Sequence, residues 1–513
     1  MRRPSFSSAS HRIEVRKDTT GPRRAPASSR RPNMNMIVRN LVGSQDASVR
    51  SAAYRTIWRW HFYAGLFCLP FVVVLSLSGA VYLFKPQIDA WLDRPYDHMA
   101  LNGAPQSLDA QVAAAQAALP DARLTALELR ADPADAARVT FMTGRRGSED
   151  FAIQRVLVRP DTLEILAVQD DKYRPSRLAG AIHGDLLLGT PGHVLLELAG
   201  AWAIVMIVSG LYLWWPRDAK GLAGVAYPRL AEGGRIFWRD LHAVTGLWVS
   251  FFALFLLVTA LPWTLVWGES FRYVRNIGET MLVHPDWTTG PADAREQRKE
   301  QFQQAAPAPS EHAEHHAHHA AAGAMTATRV GFDRIAPIAA GLGLAEPVTI
   351  SPPGPEGAAW KVQSRTQNRP LRRTIEFDPA SFEQLRETGF ATSPLIDRIF
   401  GIGVAAHEGQ LFGWLNQLLG LLTVVAYLLL VVSSVVLWWR RRPRGALGAP
   451  PAFSPEPRLA PFMLSLILAL GLFLPTLGLS LLAVIAAETV IRRAFPSASR
   501  WLGLRPIGAA RQP

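Results

Sequence analysis

The sequence predicts a mainly α-helical membrane protein built on a duplicated unit of span, small α+β outer domain and span. The two copies together would form a four-helix transmembrane bundle, followed by a C-terminal apolar helix or hairpin. Three observations predict this. Apolar residues gather into long uncharged runs, arginines gather at alternate ends of those runs, and the motifs at the run ends recur at fixed offsets.

Uncharged runs cover 62–84, 243–267, 411–439 and 459–487, and the run 194–215 contains only Glu197. A hydrocarbon core about 30 Å thick takes about 20 helical residues, so each run is long enough to span. Backbone groups in lipid must be satisfied within the segment, which makes these runs helices. Arg50, Arg55 and Arg59 precede the first run; Arg217, Lys220, Arg229, Arg235 and Arg239 follow the second; Arg440, Arg441, Arg442 and Arg444 follow the fourth. Basic residues in short loops mark the cytoplasmic side. The N-terminus is therefore expected in the cytoplasm and the long segments outside, in the periplasm of a bacterial inner membrane.

The elements follow in order. Residues 1–53 form a basic segment of low apolar content, expected to be disordered. A first span covers 54–84, an outer domain 85–182, a second span 183–215 and a cytoplasmic loop 216–239. The second copy comprises a span over 240–267, an outer domain over 268–406 and a span over 407–439. A linker (440–458), an apolar segment (459–491) and a basic tail (492–513) complete the chain. Pro475 breaks the apolar segment, which fits either one kinked span or a tight hairpin. The formal charge is +13, but residues 1–59 hold 13 Lys/Arg against Glu14, Asp18 and Asp46, and so carry 13 − 3 = +10 of it. That concentration argues against nucleic acid as a partner. It fits a solvated segment, a later start at Met34 or Met36, or an arm touching anionic lipid. The sole cysteine, Cys68, lies inside a span, so neither a disulfide nor a CxxCH haem tether is available.

Shifting the chain by 181 residues lays His61-x-x-x-Gly65-Leu66 on His242-x-x-x-Gly246-Leu247 and Ser78 on Thr259. A shift of 224 lays His183 on His407, Gly189 on Gly413, Ser209 on Ser433, and Leu213-Trp214-Trp215 on Leu437-Trp438-Trp439. Both copies run in one direction, a parallel repeat. Within the first outer domain, 107–119 reads as a helix, and 124–130, 137–143 and 153–168 as strands, the last turning at Arg159-Pro160-Asp161. Within the second, 332–342 is the helix; strands lie near 347–350, 359–364 and 372–377 before a turn at Asp378-Pro379.

The ordered motifs WRWHFYAGL, LAGAIHGDLLLG, RDLHAVTGLW and AAHEGQLFG, with the closing SGLYLWWPR and VVLWWRRR, resemble the PepSY-associated transmembrane-helix family over roughly residues 54–445. The outer domains resemble PepSY domains, with DTLEIL and DPASFEQL at the aspartate-containing turn. The resemblance implies a role in iron acquisition, as in the family's ferric-siderophore reductases that bind b-type haem. It implies a ferric siderophore or other ferric chelate as partner, and ferric-chelate reductase as the activity.

The histidines are the residues on which that expectation rests. His61 and His242 each open an outward-going span, while His183 and His407 each precede an inward-going one, so one pair marks each face. Two imidazoles from two helices can supply both axial ligands of a haem set in a helical bundle. Glycines at 65 and 246 would let a flat ring approach the helix. A single histidine here would read as an interfacial side chain; four in repeat register read as ligands of two haem b groups. From His407 to Trp439 is about 48 Å if helical throughout, against about 40–45 Å for a bilayer with headgroups. His407 therefore sits at or beyond the outer interface unless Gly409 or Gly413 breaks the helix.

His193 aligns with Gln417 and reads as interfacial; His98 and His284 read as solvated. His312, His315, His316, His318 and His319 form a tract at 312–319 absent from the first copy, either a surface loop or a site for Cu, Ni or Zn. Glu197 reads either as a proton carrier or as an interfacial carboxylate. No G-x-G-x-x-G opening a βα unit is present, so the electron donor is expected to be a separate reductase or a quinol. Two readings from other classes stand beside this one: a regulatory PepSY-type membrane protein without redox activity, and a metal transporter using the histidines directly.

Overall fold

The computed structural model describes residues 34–144, 151–216, 221–277, 331–354, 359–450 and 461–504. Residues up to Ser51 form one unit, helical from Met34, and the chain from Ala52 onward forms a second. The second unit holds everything that follows.

In chain order it contains α1 (Ala52–Leu83), α2 (Lys85–Asp93), α3 (Leu108–Ala118), β1 (Arg123–Leu129), β2 (Ala137–Thr143), β3 (Ala152–Val158), β4 (Ile165–Asp170), α4 (Pro175–Asp185) and α5 (Thr190–Trp214). Next come α6 (Gly234–Ala260), α7 (Val266–Ile277), α8 (Phe332–Gly341), β5 (Val348–Ser351), β6 (Trp360–Ser364), β7 (Arg373–Phe377), β8 (Gln384–Gly389), α9 (Leu395–His407) and α10 (Trp414–Arg441). The chain closes with α11 (Pro461–Phe473), α12 (Pro475–Ala494) and α13 (Pro496–Trp501). Among the described residues, five helices are long and apolar enough to cross a bilayer: α1, α5, α6, α10 and α12. Along α6 pack both α5 and α10, while α12 lies against α5. Helix α1 meets α5 where the Cys68 thiol approaches the Ala199 carbonyl at 3.7 Å.

The expected spans over 183–215 and 407–439 are each broken near their first residues. α4 ends at Asp185, Leu186 and Leu187 adopt left-handed backbone, and α5 starts after Gly189 at φ +65°. α9 ends at His407, and α10 starts after Gly413 at φ +62°. Gly189 and Gly413 occupy equivalent repeat positions, where a residue without Cβ turns the chain at little cost. His183 and His407 consequently ride on short helices that lean on the spans. Pro475 produces a hairpin, the second of the two expected alternatives. An ideal Cβ on Gly478 would lie 2.6 Å from the Gly471 carbonyl oxygen, whereas seven residues of continuous helix would separate them by about 10 Å. Leu474 and Leu477 at its tip are buried beside Ala201 and Trp202, and the far end returns to α1, where Tyr63 donates to the Leu502 carbonyl.

The strands expected as two separate units form one antiparallel sheet of eight, in the order β4-β3-β2-β1-β5-β6-β7-β8. Its seam is the β1–β5 pair, Leu127 to Ile350 and Leu129 to Val348. Pairing β1 with β5 removes one of the two edges that each four-stranded half would otherwise present, leaving β4 and β8 as the edges of the joined sheet. One core underlies both halves, with Val112, Phe141, Val156, Phe332, Ile350 and Ile375 fully buried. β8, beyond the Asp378-Pro379 turn, was not foreseen: its residues Gln384–Gly389 alternate no apolar face and are largely exposed.

The seam is closed by reciprocal helix capping. Asp109 of α3 accepts hydrogen bonds from the Gly331 and Phe332 amides at 3.1 and 2.9 Å at the start of α8, and Asp333 of α8 accepts from the Leu108 amide at 2.7 Å. Burial, with the adjacent Asp333 carboxylate, raises the Asp109 pKa. A raised folded-state pKa contributes stability that is present below the unfolded value and lost as pH rises through the folded one. Acidification through that window should therefore tighten the seam, and Asp333→Asn should flatten the slope. Asp109→Ala and Asp333→Ala should each cost about 1 kcal/mol, with a double variant less destabilised than the sum. Hydrogen exchange of the β1 and β5 amides measures both effects.

Candidate functional site

Four imidazoles meet in two pairs. At the arginine-rich end, His61 of α1 and His242 of α6 have ring centres 6.3 Å apart with planes crossed at 77°. At the sheet end, His183 of α4 and His407 of α9 have ring centres 6.4 Å apart with planes at 90°. The residues expected to share a face are thus neighbours.

Each ring is fixed through Nδ1. For His61, Nδ1 lies 2.9 Å from the Met206 carbonyl and 3.1 Å from Ser209 Oγ, both on α5. His242 Nδ1 lies 3.2 Å from Ser433 Oγ on α10, with a further hydrogen bond to the Leu430 carbonyl. The sheet-end rings use α1 and α6: His183 Nδ1 lies 3.1 Å from Ser78 Oγ, His407 Nδ1 2.9 Å from Thr259 Oγ1, with the Leu75 and Leu256 carbonyls as further acceptors. In all four cases the partners are a hydroxyl and the carbonyl three residues before it. A carbonyl only accepts, so Nδ1 carries the proton and Nε2 keeps a lone pair. Metal-bound histidines show this outer-nitrogen arrangement.

Two close approaches seat the rings. A Cβ on Gly79 would come within 3.1 Å of His183 Cε1, and one on Gly210 within 3.0 Å of His61 Cε1. Each glycine directly follows the hydroxyl that holds the same ring. Gly65 and Gly246, expected to make room for a flat ring, line the cavity, but a Cβ there would meet only ordinary contacts at 3.9 and 3.7 Å. Gly79 and Gly210 thus make room for the imidazoles, a role distinct from the one expected of Gly65 and Gly246.

The short helices carrying the sheet-end pair are clamped from outside. Buried Arg174, just before α4, pairs with Asp93 at 2.9 Å, and Ser176 donates to Asp89 at 2.6 Å, tying α4 to α2. At His407, the Trp263 ring lies 6.2 Å away, Arg369 sits 6.0 Å over Trp263, and Arg369 meets Glu408 at 3.5 Å.

All four histidines line one continuous cavity of about 2240 Å³, walled mainly by apolar side chains of the helices. Ligand pockets commonly measure about 300–1,000 Å³, so this one exceeds a single large ligand. With metal–nitrogen bonds of about 2.0–2.1 Å, and about 1.1–1.2 Å from each nitrogen to its ring centre, two imidazoles on opposite sides of one ion stand about 6.2–6.6 Å apart. Both observed separations fall in that interval. The donor set, neutral nitrogen on apolar walls, suits a tetrapyrrole-held metal.

The other candidates fare differently. His193 is buried on α5 and lines the cavity. His98, expected to be solvated without a partner, is exposed but engaged: Nδ1 meets Asp132 at 2.5 Å and Asp135 at 3.7 Å. The hydrogen bond with Asp132 leads in raising its pKa. Asp135 also receives Arg130 Nε at 3.0 Å, so the cluster is a closed ion-pair seat. Glu197 accepts the Val266 and Trp267 amides at 2.8 and 3.1 Å, capping α7 rather than facing the interface. His284 and the tract His312, His315, His316, His318 and His319 lie outside the described residues.

Long apolar helices surrounding a paired-imidazole cavity define a multi-pass membrane protein. The family model for the PepSY-associated TM region matches residues 58–441, and the chain belongs to that family. No curated protein matches it.

The pairing is testable without any ligand. In a Cys68→Ser background, His61→Cys with His242→Cys, and His183→Cys with His407→Cys, should each be bridged by a short bis-methanethiosulfonate, each thiol displacing one methanesulfinate. Cleavage at a protease site placed in 217–220 would then leave the halves joined on a denaturing gel. The combination His61→Cys with His407→Cys should not bridge.

Proposed function

We propose that this chain is a di-haem b electron-transfer protein of a bacterial inner membrane, reducing ferric iron in siderophores at the outer face. The observation that carries the reading is the repeated geometry: two imidazole pairs at metal-bridging separation, each ring locked through Nδ1 with Nε2 left as the donor. Edge-to-face aromatic pairs also occur at such distances. A simple ring contact, however, gives no reason for four matched Nδ1 anchors, nor for a cavity of this size beside them.

In this reading the two copies form a duplicated four-helix bundle of α1, α5, α6 and α10, with the arginine-rich end in the cytoplasm and the sheet in the periplasm. His61 and His242 would hold the inner haem, and His183 and His407 the outer one. The haems, when bound, would supply one-electron carriers near the two faces. The chain's own residues do the rest. Ser78, Ser209, Thr259 and Ser433 fix tautomer and ring orientation, Gly79 and Gly210 give the rings room, and the apolar walls exclude water. A ferric chelate would lie near the sheet, since reducing its iron weakens hard-oxygen chelation. The electron donor would be a separate reductase or a quinol on the other side.

The purified, haem-replete protein should carry about two haems per chain, extractable by acid-acetone because no CxxCH tether exists. His61→Ala and His242→Ala should abolish the same centre, and His183→Ala and His407→Ala the other. Absence of Soret absorbance would leave the regulatory and transporter readings. Deleting 312–319 should leave haem content unchanged while weakening Cu, Ni or Zn binding at the outer surface. Loss of haem on deletion would give the tract a structural part in the site.

A further inference from the structure

The two ends of the cavity differ in charge. Its described carboxylates, Asp185, Glu197 and Glu408, stand on α4, on the sheet-end part of α5 and directly after α9. At the other end the wall carries Arg229, Arg235, Arg239, Arg440 and Arg441. Asp240, fully buried at that end, already binds two of these: Arg229 Nε at 2.6 Å and Arg239 Nε at 3.0 Å.

Arg235 and Arg441 have no carboxylate partner among the described residues. They stand at the start of α6 and the end of α10, the two spans of the second copy, and both line the cavity wall. Arg441 is held in place: it is half-buried, lies 4.7 Å over the Trp58 ring and 5.4 Å over the Phe62 ring, and donates through Nη2 to the Gly448 carbonyl at 2.9 Å. Trp58 and Phe62 flank His61 on α1. Arg235 lies seven residues before His242, two turns along the same helix, or about 10 Å. Two cations on the wall of an apolar cavity, with no carboxylate partner among the described residues, call for an anion from what the cavity holds. A guanidinium is shaped to take a carboxylate through two parallel hydrogen bonds.

We infer that Arg235 and Arg441 bind the two carboxylates of the inner haem, setting its carboxylate edge toward the arginine-rich end. The inference rests on the two-haem reading and deepens it. It also predicts an asymmetry, because among the described residues the arginines lining the other end are engaged: Arg369 with Glu408, and Arg177 with Asp171 at 3.2 Å.

The test compares haem with its dimethyl ester, in which both carboxylates are masked. Full-length apoprotein, wild type and R235Q/R441Q, would be titrated with each, using His183→Ala/His407→Ala to isolate the inner centre. Wild type should bind haem at least about 10–100-fold more tightly than the ester, the range expected for even one charge-assisted hydrogen bond. R235Q/R441Q should bind haem more weakly and discriminate little between the two. Outer-centre loading in R235Q/R441Q that retains all four histidines reports that the variant is folded, and the wild-type comparison needs no substitution. Equal discrimination in both proteins, or none in wild type, would overturn the inference while leaving the two centres in place. The latter result would assign the arginines to lipid phosphates instead. Failure of wild type to bind haem at all would overturn the functional reading with it.

Discussion

Each imidazole is held by a hydrogen bond from Nδ1 to a hydroxyl on the helix it packs against, and the rest of the arrangement follows from that bond. His61 leans on Ser209 and His242 on Ser433, while His183 and His407 lean on Ser78 and Thr259. A histidine in an apolar span must find partners or pay for its polarity. Here one nitrogen is satisfied within the protein and the other is presented to the cavity. Each bond also joins neighbouring helices of the same copy, so helix spacing and ring orientation are set together. Gly79, Gly210 and Gly403 keep that spacing close: a Cβ on Gly403 would lie 2.8 Å from Thr259 Cγ2.

The sheet performs a related task outside the spans. Its two halves meet at the β1–β5 seam and share a core, with Asp109 and Asp333 capping each other's helices across the seam. The four-stranded halves are thus held in one body rather than hanging as independent lobes. Arg174 and Ser176 clamp α4 to α2, and Arg369 reaches from beside the sheet to Glu408 next to His407. Both short helices that carry the sheet-end imidazoles therefore take their positions from the sheet end of the molecule as well as from the spans.

Much of this was legible in the sequence because repeats and hydropathy are local signals. The two offsets matched His61 with His242 and His183 with His407, and they also matched Ser78 with Thr259 and Ser209 with Ser433. The hydroxyls were visible as repeat equivalents, but their role was not, since a serine in a span equally often bonds its own helix. Several features depend on contacts between distant segments and leave no local trace. The joined sheet is one, because edge pairing is decided by where two chains of strands meet. The seating of His98 between Asp132 and Asp135, and the capping of α7 by Glu197, are others. The breaks after α4 and α9 lay between these cases. Gly189 and Gly413 marked them, yet continuous apolar character beyond each glycine argued for one long helix.

The central claim is that two metal centres are each held by crossed imidazoles. Low-temperature electron paramagnetic resonance of the oxidised, purified protein tests it most directly. The account predicts two low-spin, bis-imidazole iron signals per chain, both with the large anisotropy that rings crossed at 77° and 90° produce. High-spin iron, a single centre unaffected by His61→Ala or His407→Ala, or no iron signal at all would contradict it.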